Sequence, residues 1–208
     1  RSTSLKKFGI WFNFKIQPES EWLKFFDKLK EAKISECFVN ANASQLNYLI
    51  SLSKNYNFNI HGWIWTLNRP YDESYSKNPN WYSVNKNGQN SYEYRPYVDY
   101  YQWLSPFSEG AREYVKDNIS KIASIEGLSS VHLDYVRYCD IFLPINLQKY
   151  YKINQTHEFP EYDFGYHPNG RIRFKNMFGV DPLDIVDAQI SKEWKQFRCD
   201  AVSSLVKE

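Results

Sequence analysis

From Phe8 to Phe14 the chain alternates: Phe8, Ile10 and Phe12 point one way, Gly9, Trp11 and Asn13 the other. A period of two belongs to a β-strand whose faces meet different surroundings. Pro18-Glu19-Ser20-Glu21 then reads as a helix start, and Trp22, Phe25, Phe26 and Leu29 recur at steps of three and four, the spacing of one helix face. The pattern repeats. Glu36–Asn40 predicts a second strand, and Leu46, Leu49, Ile50 and Leu52 mark a second helix. Phe58–Thr66 predicts a third strand, with Ile60 and Ile64 on one face and His61, Trp63 and Trp65 on the other.

A segment rich in Asn, Tyr, Trp and Pro follows, Leu67 to Phe107, before a third helix from about Ser108 to Ile125. Glu109 sits near that helix start, where the dipole favours a negative charge. A fourth strand covers Ser129–Tyr138, with Val131 and Leu133 alternating with His132 and Asp134. A second long loop, Cys139 to Asp187, leads to a last helix starting near Ala188 and striped by Trp194, Phe197, Ala201 and Leu205. Repeated strand–helix alternation predicts an α/β fold with a parallel sheet and right-handed crossovers. Both long loops leave the carboxyl ends of strands, the side on which β/α folds build their sites.

Composition narrows the class. With 208 residues and 42% hydrophobic content the chain can bury one core, and it is too short for two generous domains. The formal charge is +2 and no basic stripe appears, which argues against nucleic acid as a partner. No apolar run approaches the ~20 residues that span a bilayer. Cys37, Cys139 and Cys199 are odd in number and lack metal-ligand spacing, so they read as small buried residues. The unusual figure is the aromatic content of 18%, with 7 Trp and 17 Tyr. Many lie in the two loops, beyond what a core needs.

The polar residues at the strand ends share one register. Strand one offers Trp11 and Asn13, strand two Asn40, strand three His61, Trp63 and Trp65, and strand four His132 and Asp134, with Arg137 just beyond. Barrel interiors are usually filled with branched aliphatic residues, so this set is not default packing. Aromatic faces stack on the C–H faces of pyranose rings. Asn, His and Arg donate to sugar hydroxyls, and a carboxylate such as Asp134 can work at an anomeric carbon. A hydrogen bond from His132 or Arg137 would keep Asp134 ionised, favouring a nucleophile or base. A buried Asp134 ion-paired to Arg137 is the structural alternative.

Four blocks resemble a known family. His61-Gly62-Trp63-Ile64-Trp65-Thr66-Leu67-Asn68-Arg69, Trp103-Leu104-Ser105-Pro106, Val131-His132-Leu133-Asp134-Tyr135-Val136-Arg137-Tyr138 and Trp194-Lys195-Gln196-Phe197-Arg198 look like the family-10-like glycosylhydrolases, in order and spacing. These are TIM-barrel proteins of polysaccharide-degrading bacteria. The resemblance implies a (β/α)8 barrel, of which residues 1–208 hold about the first four βα units, as the amino-terminal part of a single domain. It implies Asp134 as the catalytic carboxylate, with a partner acid on later strands. Trp11, Asn13, Asn40, His61, Trp63, Trp65, Asn68, Arg69, His132, Arg137 and Tyr138 would bind a poly- or oligosaccharide.

No cofactor and no metal are implied, and the setting would be periplasmic or extracellular, an export signal having been trimmed. Asp140, Glu158, Glu161, Asp163, Asp181 and Asp184 are local candidates for the second acid. The competing classes are a non-catalytic carbohydrate-binding barrel and a metal-dependent hydrolase or deacetylase using His61, His132 and Asp134. A complete small α/β sheet is the alternative to the barrel.

Overall fold

A computed structural model describes residues 7–95 and 97–208. The two-residue periods become four strands, β1 (Phe8–Asn13), β2 (Ile34–Asn40), β3 (Asn59–Trp65) and β4 (Ser130–Asp134), in the order β1-β2-β3-β4. Helices α1 (Glu19–Glu31), α2 (Ala43–Leu52) and α3 (Glu109–Ala123) intervene. β1 and β2 pair in parallel, as do β2 and β3, and Ser129 N donates to Ile60 O at 2.8 Å beside the start of β4. This order has no reversal point of the kind that marks a doubly wound sheet.

The chain divides into two compact units. One runs to Ile64 and takes in Asp117–Asp134; the other comprises Trp65–Lys116 and Tyr135–Glu208. In the first unit, Trp22, Phe26 and Leu29 of α1 and Leu46 and Leu49 of α2 pack with Cys37, Val39, Ile60 and Ile125. The i, i+4, i+7 spacing in α1 puts its three residues on one stripe. Gly62 makes room for α3, because a Cβ there would lie 2.6 Å from Ile122 Cγ2. Asn42 starts α2 with a capping box: its side chain accepts from Gln45 N at 3.0 Å, and Gln45 Oε1 accepts from Asn42 N at 2.9 Å.

The opposite face of the sheet carries the side chains that the register grouped. Across a flat sheet β1 and β4 would stand roughly 14 Å apart, three spacings of ~4.8 Å. The rings of Trp11 and His132 lie 5.9 Å apart and those of Phe38 and His132 5.0 Å apart. The sheet therefore curves toward this face.

Three expectations change. The fourth strand stops at Asp134, because Tyr135 adopts a left-handed φ of 51°, a conformation that a bulky residue seldom takes. The segment Cys139–Asp187 holds two helices, α4 (Ile145–Tyr151) and α5 (Pro168–Phe178). Pro168 opens α5 in its first turn, and Gly179, with φ 78°, closes it, the Pro-in, Gly-out asymmetry of helix ends. Cys199 is exposed. It lies on α6 (Ala188–Lys207), off the face that buries Trp194, Arg198 and Leu205.

The second unit has a hydrophobic cluster of its own, made of Phe107, Tyr166, Phe174 and Trp194. Leu67–Phe107 contains two 3-10 turns, Glu73–Ser76 and Pro79–Trp81, and three isolated antiparallel bridges, Asn68 with Trp103, Tyr82 with Leu104 and Val84 with Asn90. Among the described residues no helix is long and apolar enough to cross a membrane.

Candidate active site

The curved face of the first unit is built in tiers, because parallel pairing holds every second residue of neighbouring strands at matching heights. At the carboxyl end, Asn13 and Asn40 are register partners, and Asn40 Nδ2 donates to Asn13 Oδ1 at 3.1 Å. Asp134, the last residue of β4, is half-buried, and its Oδ2 accepts the indole N–H of Trp63 at 3.0 Å.

Below lies a row of rings. Trp11 stacks on Phe38 at 4.7 Å and Phe38 on His61 at 4.6 Å, with His132 against both Trp11 and Phe38. Trp11 is 52% exposed, so this row ends in an indole open to solvent.

The lowest tier is ionic. Glu36 Oε2 takes the Nε2–H of His61 at 2.8 Å, Asn59 Nδ2 donates to both Glu36 oxygens at 2.9 and 3.1 Å, and Lys7 Nζ lies 3.1 Å from Oε1. The other His61 nitrogen, Nδ1, is 2.7 Å from Ser130 Oγ. Burial pushes the Glu36 carboxyl up, but the hydrogen bonds of His61, Asn59 and Lys7 outweigh it and bring it down to about 2. His61 is thus held between Glu36 and Ser130 near the amino ends of its strands.

The sign of this shift sets a pH window. A depressed carboxyl adds stability that is complete above its ordinary value of 4.5 and is lost as the pH falls through about 2. Glu36→Gln is expected to lower stability at neutral pH by roughly 1–3 kcal/mol. The difference from the parent protein should shrink below pH 4.5. Urea unfolding at a series of pH values checks both; a deficit constant down to pH 2 would contradict the ionic role.

The other site residues foreseen in the sequence lie in the second unit. Trp65 packs 4.9 Å from the Tyr135 ring and 5.9 Å from that of Tyr100. Arg137 pairs with Asp140 at 2.9 Å, donates to Tyr138 O at 2.8 Å and lies over the rings of Trp103 and Tyr135. The carboxylate that neutralises this guanidinium is therefore Asp140. Asn68 is fully buried and accepts from Gln102 N at 3.0 Å, so it holds a loop. Arg69 binds Asp72 at 3.0 Å and Tyr114 Oη at 3.3 Å. The Tyr138 hydroxyl donates to Arg198 O at 3.2 Å. Among the suggested loop acids, Asp140 pairs with Arg137, Asp163 with Arg198 and Asp181 with Arg171.

Glu36 and Phe38 were not foreseen. They fall on the Asn40 side of β2 in strict alternation, so the register alone could have found them. Among the described residues no group of three or more His, Cys, Asp or Glu side chains is placed to hold a metal ion.

The fold has relatives among solved structures. The β-galactosidase of the haloarchaeon Halorubrum lacusprofundi superposes with a TM-score of 0.60 at 14% identity, over 95% of this chain and 33% of its own. That of the psychrophilic Marinomonas ef1 superposes with a TM-score of 0.58 at 10% identity, over 96% of this chain and 35% of its own. The chain spans about a third of the length of these proteins, and at such identity the likeness is one of fold. No protein-family model matches the chain, and no curated protein matches its sequence.

Proposed function

We propose that this chain forms one wall of a (β/α)8 barrel, as the amino-terminal part of a single glycoside hydrolase domain of the family-10-like kind. It cleaves a poly- or oligosaccharide outside the cytoplasm. The observation that carries the reading is Asp134, fixed by Trp63 at the carboxyl end of a strand, on a curved sheet face lined with rings and carboxamides. In β/α barrels that end is where catalytic groups sit. The likeness in fold to two β-galactosidases supports the same class.

In this reading Asp134 is nucleophile or acid/base, and a second carboxylate comes from strands outside residues 1–208. Retaining enzymes place the two carboxyls ~5–5.5 Å apart and inverting ones ~6.5–9.5 Å apart. The test is a screen of the full-length protein against aryl glycosides and bacterial and plant glycans, read by release of reducing ends. Cleavage of at least one glycan is expected. Sugar binding without cleavage would assign a non-catalytic carbohydrate-binding barrel, and neither would overturn the reading.

Trp65→Ala should weaken oligosaccharide binding by ~1–3 kcal/mol, as removal of a large interface aromatic does elsewhere. Unchanged affinity in titration calorimetry, with the fold intact, would remove Trp65 from sugar contact.

A further inference from the structure

We infer that Trp63 is a positioning residue for Asp134, whose carboxylate it orients through the indole N–H. The inference rests on the reading of Asp134 as a catalytic carboxylate and goes beyond it, because the sequence suggested only that Trp63 walls a sugar subsite.

The geometry gives the reason. Trp63 Nε1–H points at Asp134 Oδ2 across 3.0 Å. An indole nitrogen is a donor only, so this bond forms with the acceptor oxygen of a carboxylate and cannot be reversed if the acid is protonated at that atom. The donor is carried by β3 and the acceptor by β4, neighbours in the sheet, so both ends are held by strand backbone. The ring itself is half-buried, which restricts its rotation and aims the N–H. Fixing the carboxylate oxygens in one orientation is a contribution to rate that does not require tighter substrate binding.

The test has one arm that does not depend on activity. In the full-length protein labelled with 15N at the Trp indoles, the Trp63 N–H resonance, assigned with Trp63→Phe, should move with pH as the Asp134 carboxylate is protonated. His132 lies two residues before Asp134, and Glu36 and His61 share the sheet face. The isosteric Asp134→Asn variant separates these contributions, because only the Asp134 part of the titration disappears. An indole resonance that is invariant from pH 3 to 8, or that titrates identically in Asp134→Asn, would overturn the contact in solution. Because the Asp134→Asn comparison keeps Trp63, it decides the matter even if Trp63→Phe does not fold.

The second arm uses any glycoside cleaved in the screen above. Trp63→Phe keeps an aromatic ring and removes the donor. We expect kcat to fall about 10–100-fold, the effect of losing a hydrogen bond to a charged group, with KM within about two-fold. A raised KM with unchanged kcat would make Trp63 a substrate wall and overturn the positioning role. A titrating indole in a protein that cleaves no glycan would leave the contact standing and overturn the glycosidase reading.

Discussion

Asp134→Asn in the full-length protein is expected to lower kcat for glycan hydrolysis by roughly 10³-fold or more, the scale of losing a group that reacts directly. The substitution keeps shape and volume. An amide still accepts the Trp63 N–H, so the fold around β3 and β4 should persist, with unchanged circular dichroism and unfolding midpoint. What disappears is the charge that attacks or activates at the anomeric carbon. Substrate binding should change little, because the sugar-facing rings and carboxamides remain. A loss of only a few-fold with normal folding would remove Asp134 from catalysis. A similar loss in kcat/KM carried by KM instead of kcat would make it a binding group.

The largest expected effect on stability lies in the second unit. Arg198 and Asp163 are 7% and 9% exposed, and the guanidinium meets the carboxylate through two bonds of 2.7 and 3.3 Å. Tyr138, Tyr166 and Trp194 present their rings to the Arg198 guanidinium at 5.0–5.9 Å. A Cβ on Gly165 would lie 2.3 Å from Arg198 Cζ, so the glycine is what lets the backbone approach so closely. Arg198→Met keeps most of the aliphatic stem but leaves a buried carboxylate without its counter-charge. The expected cost is about 3–5 kcal/mol, as for other broken buried pairs. Adding Asp163→Asn to the same chain should recover a large part of it, because the uncompensated charge is then gone. Urea unfolding of the two variants checks the loss and the recovery; equal stability of single and double variants would show that packing of the guanidinium, and not its charge, is what the parent protein uses.

This pair also shows how differently the chain discloses its parts. Arg198 stood in the sequence only as the end of the Trp194–Arg198 block. Nothing near it in the chain announced Asp163, 35 positions away. Arg137 has two carboxylates three positions away, Asp134 and Asp140, and the tertiary structure gives it to Asp140. Partner choice among charged groups depends on where backbone segments end up in space, and local pattern carries no record of it.

Helices α4 and α5 belong to a different kind of omission. Pro168 and Gly179 were in plain sight, and they bracket α5 as its ends require. The helix was hidden by weak amphipathicity: it buries only Gly170 and Phe174, too few positions for a stripe at helical spacing to stand out. Cys199 failed for the converse reason, since residue type alone says little about which side of a helix faces water.

What the sequence determined by itself is the succession of elements in the first unit and the side of the sheet on which its polar groups fall. Alternation over β1 to β4 and stripes over α1 and α2 are local consequences of backbone geometry and of apolar burial, so they are written in consecutive residues. Hence Trp11, Asn13, Asn40, His61, Trp63, His132 and Asp134 could be placed on one face before any coordinates. Height along that face, and who bonds whom, came only with the fold. Strand pairing set His61 low between Glu36 and Ser130, and it brought the Trp63 indole to Asp134, 71 positions away. Register between strands is fixed by contacts distant in the chain, and a period of two, identical at every height, cannot encode it.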